Sequence, residues 1–188
     1  MIFTPTAIPE VFIVDPKVHG DSRGYFMESF IASRFEKEVC DIRFIQDNES
    51  SSFYGVLRGL HYQLYPHCKS KLLRVVFGRI LDVAVDIRVG SPTFGHHVAV
   101  ELSVENKRQL FVPRGFAHGF SVLSDSTIVQ YKTDNYYVPE SERAIRWDDP
   151  TLNINWGLPH SDIVLSERDK KHPSLMDAPL FDYNQKLY

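Results

Sequence analysis

Between Phe44 and Val138 the chain is a close succession of short apolar runs separated by Gly, Pro, Ser or Asn turns, a spacing that reads as a β-sandwich or barrel. The runs are FIQDNES, GVLRGLHYQ, KLLRVVF, RILDVAVDIRV, HHVAVELS, RQLFVP, AHGFSVLS and STIVQYKTDNYYV. Within one of them Val83, Val85 and Ile87 alternate with Asp82, Ala84 and Asp86, the pattern of an antiparallel strand with one face in the core. A small barrel of about eight or more such strands closes most of its edges and holds one small ligand in its mouth. The expected fold class is all-β.

The flanks are different in texture. Val11–Val14 and Tyr25–Phe30, joined through the glycine turn of DSRGYF, predict an opening hairpin. Ala32–Val39, with Ser33 as its cap and Phe35 and Val39 four apart, predicts one short peripheral helix. Beyond Trp147 the periodicity fades in DDPTLNINWGLPHSDIVLSERDKKHP, so an irregular C-terminal tail packed around the barrel is expected, with a helical turn at Ser166–Lys171. No repeat or low-complexity linker divides the chain. Residues 1–188 therefore read as a single domain, long enough to bury roughly 70% of its unfolded surface.

Charge narrows the partner. With 21 basic and 24 acidic residues interspersed and a net charge of −3, the chain carries neither a nucleic-acid patch nor a polybasic membrane anchor, which leaves a small molecule as the ligand. Cys40 and Cys68 lack metal-ligand spacing and are too few for a disulfide framework, as suits a reducing compartment. No basic n-region precedes a long apolar run and no segment approaches eighteen uninterrupted apolar residues, so a cytoplasmic location is expected.

Polar residues inside strand-like runs mark the candidate chemistry: His61, Lys71, His118 and Tyr131. In GVLRGLHYQ, Arg58 and His61 are three apart, and a regular strand would point them to opposite faces. Gly59 between them predicts a bulge that turns both toward one cavity. No catalytic metal is expected. The H-x-H pair of metal-binding barrels is missing, since Gln63 stands two after His61, and the adjacent pair His96-His97 points to opposite faces of a strand.

GVLRGLHYQ, DVAVDIRVGSPTFG, ELSVENKRQLFVPRGFAHGF and the closing LSERD together resemble the dTDP-4-dehydrorhamnose 3,5-epimerases, and the resemblance runs from DSRGYFMESF to about Pro173. It implies a cupin-like jelly roll, a homodimer, and epimerisation beside a ketone without a cofactor. Removing a proton next to a carbonyl requires a base near neutral pKa and a group that stabilises the enolate oxygen. Histidine, with an ordinary pKa of about 6.5, suits the first task.

By resemblance His61 is the base and Asp169 its carboxylate partner, Tyr131 the acid that returns a proton from the opposite face, and Lys71 the cation at the C4 oxygen. His118 is implied to bind the sugar or support the oxygen site. For the nucleotide, Arg58 offers a planar fork for phosphate oxygens. The resemblance adds Arg23, Phe26, Glu28, Gln46, Asp47, Asn48, Tyr137, Glu142 and Arg168, with Arg23 to Glu28 reaching the neighbouring subunit's site. Taken alone, Asp169 reads as a solvated charge, Tyr131 as a core ring with its hydroxyl at the rim, Lys71 as a snorkelling lysine, and Arg23 with Glu28 as a surface ion pair.

Two departures from the family pattern stand out: the polar, bulky segment Leu64–Ser70 (LYPHCKS), and an arginine at 168 where lysine is common. They bear on nucleotide or sugar preference. The same base and acid would also serve a relative that inverts only C3 or only C5 of another nucleotide 4-keto sugar. A non-catalytic sugar-nucleotide-binding cupin is a different class, and it has no need of a base facing an acid.

Overall fold

The strand signals between Phe44 and Val138 are realised nearly where the turns put them in the computed structural model, which describes residues 1–188. The first half holds β1 (Ile2–Pro5), β2 (Phe12–Asp15), β3 (Val18–Asp21), β4 (Gly24–Met27), α1 (Ala32–Glu38), β5 (Gln46–Phe53), β6 (Leu57–Gln63) and β7 (Lys71–Phe77). Then come β8 (Arg79–Asp86), β9 (Arg88–Val89), β10 (His97–Ser103), β11 (Gln109–Val112), β12 (Phe116–Val122), β13 (Ser126–Thr133), β14 (Glu142–Ala144) and β15 (Phe181–Asp182). A six-stranded sheet, ordered β1-β2-β11-β7-β13-β5, faces a five-stranded one, ordered β10-β8-β12-β6-β14. The class is all-β, a jelly roll whose two sheets pack together without hydrogen-bonding into a closed ring.

Two apolar layers hold it together. Between the sheets, Leu73, Val75, Leu110, Val112 and Val129 meet Ile80, Ala84, Leu102, Phe116, Phe120 and Val122. On the other side of the five-stranded sheet, Leu57, Leu60, Tyr62, Val83, Val85 and Ile87 pack under the tail residues Leu152, Trp156, Leu175, Phe181 and Leu187. The tail is irregular, as expected, and is fastened by Asp149, which accepts backbone N–H bonds from Thr151, Leu152 and Leu175.

This second layer corrects the reading of β8. Its alternation is real, but Asp82, Ala84 and Asp86 are as buried as Val83, Val85 and Ile87, because one face meets the opposite sheet and the other meets the tail. Asp86 is neutralised by Arg88, Ser91 and Thr93, which hold its carboxyl below the usual range against the opposing effect of burial.

Three local expectations also change. The opening hairpin is not Val11–Val14 with Tyr25–Phe30: β2 pairs with β1 and β11 in the large sheet, and the hairpin is β3 with β4. Ser33 is not a cap, since Ile31 occupies the N-cap position without a side-chain bond. Instead α1 is seated by Phe35, whose ring meets those of Phe30, Phe44 and Phe111 at 5.1–5.8 Å. The run STIVQYKTDNYYV stops being strand at Thr133. The loop beyond it is held by buried Gln63, which donates to the carbonyls of His67 and Tyr136 and accepts from the Val138 N–H.

Candidate active site

The pairing of β6 with β12 slips once: His118 opposes His61, but Phe120 opposes Arg58, so β6 carries one more residue than its partner between these pairs. Gly59 lies in that interval with φ +131°, and the Gly59–Leu60 peptide is cis. The bulge breaks the two-residue period. Leu57 and Leu60, three apart, both enter the layer under the tail. Arg58 and His61 are thereby turned to the opposite, inter-sheet face.

Only glycine fits there, because a Cβ on residue 59 would stand 2.5 Å from the Gly119 Cα and 2.9 Å from the His118 carbonyl oxygen. Gly59→Ala is expected to destabilise the fold by about 2 kcal/mol or more. Urea unfolding checks this, and an unchanged midpoint would refute it.

Around His61 the cavity is built from both sheets. His61 Nε2 lies 2.6 Å from Asp169 Oδ1, brought up by the short 3-10 turn Asp169–Lys171 in the tail. Burial alone would raise the pKa of Asp169, but the bond and charge of His61, with Ser166 and His172 as further donors, hold it at about 2. His61 Nδ1 is left without a hydrogen-bond partner.

Across the register pair, His118 Nε2 lies 2.7 Å from Asp82 Oδ1, and from the other sheet Lys71 Nζ comes within 3.1 Å of His118 Nδ1. An ammonium can only donate, so His118 Nδ1 is the acceptor and its Nε2–H points at Asp82. Burial lowers the His118 pKa and keeps the ring neutral, while the Asp82 carboxylate opposes that shift. Burial, then the charge of Lys69, brings Lys71 down to about 8. At pH 7 it still carries its charge. Tyr131, on β13 and half-buried among apolar side chains, has its pKa raised by burial, so its phenol keeps its proton.

At the rim, Asn48 pairs in register with Tyr131 and takes a 2.7 Å bond from Gln46 Nε2. Arg58 donates to Ser52 Oγ. Tyr137 Oη donates to Glu142 Oε2 at 2.8 Å, and Arg168 pairs with the same carboxylate, so these three form one cluster beside β6.

Strand alternation sends the Asp47 side chain to the outer face, where it pairs with Lys132 in a groove that is also lined by Asn48, Glu49, Arg74, Gln130 and Tyr131. Arg23, Phe26 and Glu28 lie on or beside the β3–β4 hairpin, which pairs with nothing but itself. Phe26 is 67% exposed there, and Arg23 makes its ion pair with Asp21 rather than with Glu28.

Asp82, His172 and Lys69 join the cluster without having been singled out. Asp82 was hidden by the assumption that one face of β8 met solvent. His172 and Lys69 sit in polar segments with no periodicity, where sequence offers no sign of direction. Lys69 stands over the Tyr137 ring with Nζ 5.4 Å from its centroid. The ligand atoms of His61, Asp169 and His172 lie within 4.8 Å of one another, and both ring nitrogens are within hydrogen-bond reach of Asp169 Oδ1.

Residues 5–177 match the family model described as dTDP-4-dehydrorhamnose 3,5-epimerase. Curated relatives include the enzyme of that name from Shigella flexneri, 54% identical over 94% of this chain and 97% of its own. Among solved structures, dTDP-6-deoxy-D-glucose-3,5-epimerase from Legionella pneumophila in complex with dTDP-4-keto-L-rhamnose superposes with a TM-score of 0.94 at 48% identity, covering 98% of this chain and 99% of that one. More distantly, ChmJ, a 3'-monoepimerase from Streptomyces bikiniensis in complex with dTDP-quinovose, gives 0.85 at 33% identity over 92% of this chain and 87% of its own. The chain belongs to the dTDP-4-dehydrorhamnose 3,5-epimerase family of isomerases.

Proposed function

We propose that this enzyme inverts C3 and C5 of dTDP-4-dehydro-6-deoxy-D-glucose, giving dTDP-4-dehydro-L-rhamnose, by proton removal and return with side chains alone. The reading is supported by a histidine on β6 bound to the buried Asp169 carboxylate, and by a half-buried phenol on β13 of the other sheet whose pKa is raised by burial. His61 Nδ1 takes the proton from the carbon beside the C4 ketone, and Asp169 stabilises the imidazolium that forms. The negative charge passes to the C4 oxygen, where the Lys71 ammonium offsets it. His118 and Asp82 aim that ammonium, because the His118 lone pair accepts one of its hydrogens. Tyr131 then delivers a proton to the opposite face, and the centre is inverted.

Arg58 meets the diphosphate, with Gln46 and Asn48 at the same rim, while Tyr137, Glu142 and Arg168 close the far side. Arg23, Phe26 and Glu28 serve a second copy of the chain, since a hairpin with an exposed aromatic and no intramolecular sheet to join suits a homodimer arm. Residues 1–188 act as one domain, working in the cytoplasm. No helix is long and apolar enough to cross a membrane, and both cysteines are free thiols.

Proton NMR in deuterated water with dTDP-4-dehydro-6-deoxy-D-glucose tests the reading. Both the C3 and C5 signals should disappear as product forms. Likeness to a 3'-monoepimerase favours one second reading, inversion at C3 alone, and deuterium confined to C3 would select it.

A further inference from the structure

Asp169 serves two histidines. Its Oδ1 lies 2.6 Å from His61 Nε2 and 3.1 Å from His172 Nε2, while Oδ2 accepts from Ser166 Oγ at 2.8 Å. The His172 ring stands at 90° to that of His61 with centroids 5.8 Å apart, and its side chain is only 12% exposed. We infer that His172 is a positioning residue for the base: it holds Asp169 from a second side, braces the His61 ring, and moderates the pull of the carboxylate on the His61 proton. This rests on the reading of His61 as the base.

Both ring nitrogens meet one oxygen, so each ring carries its hydrogen on Nε2 and neither has its Nδ1 lone pair engaged by the carboxylate. A carboxylate oxygen that already accepts one donor is a weaker partner for another. When His61 takes a proton, Asp169 favours the imidazolium and His172 opposes it through its N–H dipole. A base that grips its proton too firmly is occupied before substrate arrives, and one with no carboxylate behind it is too weak. His172 sets the balance between these. The shorter bond belongs to His61, so the second histidine adjusts the pair without replacing either member. Asp169 keeps its charge throughout the range in which histidines titrate, because its donors hold it at about 2.

The other charged groups around the trio are His118 on β12, with Lys71 and Asp82 behind it, Arg58 on β6, Glu142 and Arg143 on β14, and Arg168 and Lys171 in the turn. All are unchanged in variants at 172, so a difference between those variants reports that position.

The test is the pH dependence of kcat/KM from pH 5 to 9 for wild type, His172→Leu and His172→Gln, with melting temperatures measured alongside and His61→Asn in the same assay. His172→Leu removes the donor and should move the acidic limb upward by about 0.5–1 unit, a several-fold loss at pH 6 that nearly disappears by pH 8. His172→Gln retains an N–H donor and should bring the limb back toward wild type. A limb at the same pH in all three proteins overturns the inference, as does an equal loss at every pH accompanied by a lower melting temperature, which marks packing alone. Should His61→Asn keep its exchange, the base reading fails and takes this one with it. A dead His61→Asn with an unmoved limb sinks only the role of His172.

Discussion

His61→Asn is expected to slow exchange of the C3 and C5 protons by about 10²- to 10⁴-fold, the range commonly lost with a general base. Asparagine is close in size and keeps an N–H for Asp169, whose other donors, Ser166 and His172, remain in place. The buried carboxylate is therefore not orphaned, and the fold should survive. What disappears is a lone pair that accepts a proton near neutral pH and shares the resulting charge with Asp169. Deuterium wash-in by NMR reads the effect directly. Binding of dTDP by calorimetry should stay close to wild type, because the nucleotide contacts are assigned to Arg58 and the rim. Near-normal exchange in this variant would remove His61 from the role of base, whatever happened to product formation.

Tyr131→Phe should divide the reaction. The ring lies half-buried among apolar neighbours, so phenylalanine keeps its packing and deletes only the hydroxyl. That hydroxyl keeps its proton because burial raises its pKa, and the charge of Arg58 pulls against this without being the larger effect. Without it, His61 still removes protons and can return deuterium to the same face, while inversion requires delivery from the other. Product formation is thus expected to fall by about 10²-fold or more, with a smaller loss in exchange. The comparison is wash-in against product under saturating substrate. Unchanged product formation would exclude Tyr131 as the acid, and equal losses would assign the hydroxyl to holding the enolate as well.

How much of this is legible in one dimension differs from element to element. The strand series from β5 to β13 is written in its turns and its apolar alternation, and the Gly59 bulge follows from a simple conflict between a period of two and a spacing of three. Pairing partners were less legible. Val11–Val14 looks like half of a hairpin with the next strand, yet β2 joins β1 and β11, because which edges meet depends on the packing of sheets and not on proximity along the chain. The same limit hid Asp82. A strand buried on both faces shows the alternation of one buried on a single face when one side carries carboxylates, and only the tail folding over the outer face makes the difference.

His61, Lys71, His118 and Tyr131 were visible as polar residues in apolar strands, where direction is fixed by alternation and, for His61, by the Gly59 bulge. Asp169 and His172, in contrast, lie in a polar segment with no period, and charge in such a segment normally faces water. By itself the sequence determined the class of fold, the bulge and the strand-borne residues of the cavity. Tertiary structure decided which of the tail's charges reach it, since a turn of three residues gains its direction from the layer of Trp156, Leu175 and Phe181 that pins the tail, over one hundred positions along the chain from His61.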